Sequence, residues 1–145
     1  MKEAGFIYED HTADVQARCW GKSLEEAFVQ TAYSLMATIT PDLKKISTEI
    51  EKKLKIEAED KEALLFDFLS ELLFIFDVNE LVFNTIQVQI TKESEDLYVL
   101  NASLRGEKFD LTKHEVGIEV KAITYSFMNI TESKNKVEIS IVFDI

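Results

Sequence analysis

The sequence predicts an α+β protein, with two helices packed on one face of a mainly antiparallel β-sheet. Most of the chain alternates apolar and polar residues in short runs joined by polar turns, the pattern of half-buried strands. Two longer segments with helical spacing each open on a capping residue, Ser23 and Asp60. The strands after the second helix follow one another directly, as in an antiparallel sheet with its helices on one side. No glycine-rich phosphate loop and no strand–helix–strand alternation point to a dinucleotide fold.

Element by element, residues 5–9 and 15–21 read as two strands separated by the polar turn 10–14; in the second, Val15, Ala17 and Cys19 alternate with Gln16, Arg18 and Trp20. Ser23 with Glu26 forms a capping box, and the helix it opens lines up Leu24, Ala27, Phe28, Thr31, Leu35 and Ile39 before stopping ahead of Pro41. Residues 45–58 fit a long strand, although Ile50 and Leu54 also fit a turn of helix; strand is expected for the second half, where Leu54, Ile56 and Ala58 alternate with Lys55 and Glu57. Asp60 then caps a helix running to about Asn79, so rich in Leu and Phe that only Asp67, Ser70 and Glu71 form a polar stripe; such a helix is buried on most sides. Strands are expected at 81–91, 96–105, 117–125 and 136–143, with turns at 93–96 and 131–135 and a longer polar loop over 105–114.

With 145 residues, 46% of them apolar, and a single proline, the chain fits one domain spanning residues 1–145 around a real core. No apolar run reaches membrane-spanning length and the start carries no apolar leader, so a soluble cytoplasmic protein is expected. Cys19 stands alone and reads as a small packed residue. The formal net charge of −11 disfavours direct nucleic-acid binding and favours divalent cations or a basic partner; it also serves solubility.

Candidate chemistry concentrates at the two chain ends. The segment 136–143 alternates apolar and polar residues right up to Asp144 and Ile145, so a strand here fixes Asp144 beside the carboxylate of Ile145. Should Asp14 meet them, hard oxygen donors converge in a set suited to calcium or magnesium; a frayed, solvated end is the plainer alternative. His11 and Asp14, three apart in a turn, suit metal ligation or a base with its orienting group, and equally a turn held by side-chain hydrogen bonds to backbone. Lys121 emerges between apolar neighbours, placed to neutralise a carboxylate such as Asp14 or Asp110 or to form an ordinary cross-strand pair. A zinc site would need His11, His114 and Cys19, and a Ser126–His114–Asp110 triad lacks a nucleophile elbow; both are weak.

Taken together, His11-Thr-Ala-Asp-Val15, Gly21-Lys-Ser-Leu-Glu-Glu-Ala-Phe28, Leu64-Leu-Phe-Asp-Phe-Leu-Ser-Glu-Leu-Leu73, Gly106-Glu-Lys-Phe-Asp110 with His114, Val120-Lys-Ala-Ile-Thr-Tyr125 and Val142-Phe-Asp-Ile145 resemble the archease family in order and spacing over nearly the whole chain. One departure is Ser126, where the family commonly has a histidine. The resemblance implies a non-catalytic protein cofactor of the tRNA-splicing RNA ligase, which it helps to guanylylate and to turn over repeatedly. It also implies a calcium site at Asp14, Asp144 and the carboxylate of Ile145, with His11, His114 and Lys121 as supporting residues. A divalent-metal-dependent hydrolase using His11 as base, and a general chaperone-like modulator of RNA-processing proteins, are the other readings.

Overall fold

The computed structural model describes residues 3–9 and 14–145. These form strands β1 (Gly5–Glu9) and β2 (Val15–Gly21), helix α1 (Leu24–Ile39), a turn of 3-10 helix (Leu43–Lys45), strand β3 (Ile50–Ala58), helix α2 (Lys61–Asn79), and strands β4 (Leu81–Ser94), β5 (Leu97–Lys108), β6 (Ala122–Ser133) and β7 (Lys136–Asp144). The expected α+β class is present, and its strands divide into two antiparallel sheets, ordered β1-β2-β7-β6 and β3-β5-β4. Helix α1 packs on β2, β7 and β1 of the first sheet and on β4 of the second, while α2 packs on β6 and on β3 and β5. Each helix therefore bridges the sheets, and Phe28, Leu35, Phe68, Leu72, Phe83, Leu104, Ile139 and Phe143 share one buried cluster between them. No described helix is long and apolar enough to cross a membrane.

Both helices begin where the sequence places them. Ser23 Oγ accepts from the Glu26 amide at 3.1 Å, and Asp60 Oδ1 from the Ala63 amide at 2.7 Å, so each cap satisfies an amide that the helix itself cannot. Thr31, Ser34 and Thr38 lie on the buried side of α1 because each hydroxyl donates to a carbonyl of its own helix, at Ala27, Thr31 and Ser34. On the far side of the second sheet α1 closes the border of β4: the Ile86 amide donates to Tyr33 Oη at 3.1 Å and the Ile90 amide to Glu25 Oε2 at 3.4 Å.

Helix α2 ends on Glu80, whose φ of 59° is left-handed and whose amide donates to the Phe76 carbonyl at 2.8 Å. A side chain pays for that conformation and glycine does not, so Glu80→Gly should raise stability by about 0.5–1 kcal/mol. A urea denaturation midpoint that stays put or falls would contradict this.

Three segments differ from the sequence expectation. Residues 117–121 lie outside a strand, because the Gly117 and Ile118 amides are spent on the Ile39 and Thr38 carbonyls at the end of α1. Strand β6 begins instead at Ala122 and continues to Ser133. It crosses a bulge: Thr124 pairs with Val142 and Asn129 with Ser140, leaving residues 125–128 opposite Ile141 alone. The first part of 45–58 is not strand either. Asp42 caps the 3-10 turn, and Ser47 is held by Glu107.

Candidate functional site: carboxylates at the end of the first sheet

Strand β7 lies between β2 and β6, so the ends of three strands meet at one border of the first sheet. Val15 pairs with Phe143, which leaves Asp14 and Asp144 each one residue further along on facing strands. On the other side Asp144 pairs with Ala122, and its carbonyl accepts the Lys121 amide at 2.7 Å. Asp14, Asp144 and Ile145 are all half-buried, and the Ile145 side chain packs against the core, which anchors the main chain beside Asp144. The pairing of β7 with β2 and β6 thus sets Asp14, Asp144 and Ile145 and the Lys121 main chain at one border, which alternation within each strand does not give. The donor chemistry fits a hard cation: carboxylate oxygens on neighbouring strand ends, with a lysine backbone tied to the same residue. Among the described residues no three His, Cys, Asp or Glu side chains are grouped as metal ligands. His11 lies outside the described residues.

His114 belongs to a different cluster. Its side chain is fully buried, its Nδ1 accepts the Asp110 amide at 2.9 Å, and its Nε2 lies 2.8 Å from Glu107 Oε2. An imidazole whose Nδ1 accepts carries its proton on Nε2, so Nε2–H donates to the carboxylate. Phe109 stacks on the ring, with centroids 5.6 Å apart. Glu107 also accepts from the Ser47 amide and hydroxyl, each at 2.8 Å, and pairs with Lys113 Nζ at 2.7 Å. Burial alone would raise the Glu107 carboxyl, but Lys113, Ser47 and His114 together outweigh it and hold the pKa at about 2. The arrangement fastens the 109–114 loop to β5 and to Ser47. It leaves no ring nitrogen for a metal or for Ser126, and the Asp110–His114 bond runs from backbone amide to ring, the reverse of the orienting bond in a triad.

Sequence reasoning missed Glu107. By alternation it shares the wet face of β5 with Arg105 and Ser103, and only the chain folded over it makes that position buried. Cys19 is fully buried, and burial pushes its thiol up to about 11 against smaller opposing contributions from Thr31 and Ser34. A thiol kept protonated is a poor zinc ligand, and both ring nitrogens of His114 are engaged elsewhere, so these two offer zinc no donor.

The model of the Archease protein family matches residues 6–145. The chain belongs to the archease family. It is 38% identical over 147 residues to Protein archease of Methanosarcina barkeri, covering 100% of both chains. Its fold is similar to the solution structure of Methanobacterium thermoautotrophicum protein 1598, with a TM-score of 0.84 at 33% identity over 97% of this chain and 99% of that one. The crystal structure of an archease from Thermotoga maritima, a possible chaperone, aligns with a TM-score of 0.61 over 94% of both chains; at 22% identity it speaks for the archease fold alone.

Proposed function

We propose that this archease is a protein activator of the RNA ligase that joins exon halves in tRNA splicing, and that it acts through a calcium site at the border of its first sheet. Asp14 and Asp144 would hold the ion through their side chains and Ile145 through its main-chain carboxylate, with Lys121 balancing the carboxylate charge and His11 as a supporting residue. The ion would supply a fixed positive charge that keeps these carboxylates together and presents them on one rigid border. The observation that carries the proposal is the register of β2 with β7, which sets Asp14 and Asp144 side by side at one sheet border. Membership of the archease family supports the partner. The net charge of −11 supports docking on a basic protein surface over direct contact with RNA.

The test is ligase turnover with RNA in excess, alongside calcium titration calorimetry of the archease alone. Asp14→Ala and Asp144→Ala should each lower stimulated turnover by roughly tenfold or more, the scale expected when support for a bound ion is removed, and each should weaken calcium binding. Full stimulation by both variants would sink the proposal. Turnover of phosphoester substrates by the purified protein without ligase would favour a metal-dependent hydrolase instead.

A further inference from the structure

The outer side of α2 differs from the sequence expectation in a way that the site above does not use. Phe74 and Val78 are 57% and 60% exposed on a helix otherwise rich in buried Leu and Phe. In β6, the strand on which α2 packs, the bulge leaves Tyr125 and Phe127 54% and 70% exposed, with Phe127 held at a φ of 55°. The Tyr125 ring lies parallel to Phe66 of α2, with centroids 4.3 Å apart and planes 2° from parallel, so one face is stacked and the ring is pre-oriented.

The carboxylates of Asp67, Asp60, Glu59 and Glu62 lie close enough to add to burial in raising the Tyr125 hydroxyl. Further along α2, an open groove of about 530 Å³ runs between the helix and β3, lined among others by Ile56, Glu57, Asp67, Ser70, Glu71 and Phe74. Tyr125 stacks on Phe66, the chain neighbour of Asp67, and Asp67 lines the groove, so ring and groove adjoin along α2. The lysines nearest it are already engaged: Lys61 with Glu132, and Lys55 with Glu57 at 3.6 Å.

Exposed aromatic rings within a field of carboxylates repel nucleic acid and anionic lipid, and attract a cation that also offers apolar surface. Guanidinium meets both demands: it is planar and weakly hydrated, stacks on a tyrosine face, and pairs with carboxylates in the ring plane. We propose that the α2–β6 face is a docking surface for an arginine-bearing, otherwise apolar segment of a partner protein. An arginine lies against Tyr125 between Asp67 and Glu62, and apolar side chains of the same segment cover Phe74 and enter the groove against Ile56. These residues are other than the carboxylates of the sheet border, and the surface does not depend on the ion or the ligase.

The experiment follows fluorescence anisotropy of a short labelled peptide of alternating arginine and leucine, with the same peptide carrying citrulline for arginine as its uncharged twin. The native protein should bind the arginine peptide and discriminate against citrulline by roughly tenfold or more. Tyr125→Ala, and separately Asp67→Asn with Glu71→Gln, should each weaken binding by roughly tenfold, while Tyr125→Phe, which keeps the ring, stays within about twofold. Glu93→Gln with Glu95→Gln removes equal charge from the β4–β5 turn and should change affinity by less than about twofold. Circular dichroism confirms that each variant is folded. The proposal is overturned if folded Tyr125→Ala binds like the native chain, or if the turn pair weakens binding as much as Asp67→Asn with Glu71→Gln. It is equally overturned if sedimentation shows a dimer that Tyr125→Ala dissolves, since a second copy would then occupy the face.

Discussion

Gly106→Ala is expected to lower stability by roughly 3 kcal/mol or more, and the melting temperature by about 10 °C. Gly106 sits in β5, the middle strand of the second sheet, paired with Ile50 on one side and Phe83 on the other. Beside Phe83 the register shifts at Asn84, an extra residue whose side chain donates to the Ile46 carbonyl. The bulge presses β4 against β5, so a Cβ at Gly106 would overlap the Val82 carbonyl oxygen and meet Phe83 Cα at 2.7 Å. Those are backbone atoms in a central ladder and cannot swing aside as a side-chain tip would. The cost falls on β4, β5 and the 3-10 turn together. Urea denaturation of the variant measures it, and a midpoint close to native would show that the bulge relaxes freely.

Glu107→Ala should cost about 3–5 kcal/mol, because it strands buried donors. The His114 Nε2–H and the Ser47 amide and hydroxyl all lose their acceptor, and Lys113 loses its ion-pair partner. The acid response follows from the same carboxylate. Its pKa is lowered from 4.5 to about 2 by folding, so the folded state keeps it ionised where the unfolded chain would protonate it. The stabilisation is fully present above pH 4.5 and is lost as pH falls toward 2. Native protein and variant should therefore differ most in stability near neutrality, and the gap should shrink steadily through that acid window. A gap that is constant with pH would assign the loss to packing alone.

Local chemistry was legible wherever one side chain answers one backbone need. Ser23 and Asp60 announced α1 and α2 because an unpaired first-turn amide needs an acceptor, and the alternation of Val137, Ile139, Ile141 and Phe143 announced β7 through to its last residue. Alternation gives each strand a wet and a dry face but not a neighbour, so the division into two sheets was not visible. Nor was the bulge in β6, where Tyr125, Ser126 and Phe127 are all exposed in succession and break the period on which strand reading depends. Alternation carried the chain to Asp144 at the end of β7, but that Asp14 stands next to it comes from the pairing of β2 with β7, which no pattern within one strand reveals. His114 entered as a supporting residue with the family resemblance, and its position in a polar loop says nothing of where its ring points. Only its contacts with Asp110, Glu107 and Phe109 show it turned inward.

The helix-borne oxygens of Tyr33 and Glu25 take up the Ile86 and Ile90 amides, two positions on the open border of β4. Fibril growth recruits successive molecules through just such outward-facing amides. Here another molecule would first have to displace a tyrosine and a glutamate that belong to a packed helix. At that flank the native fold is a poor template for polymerisation, and α1 guards against it while also covering the core.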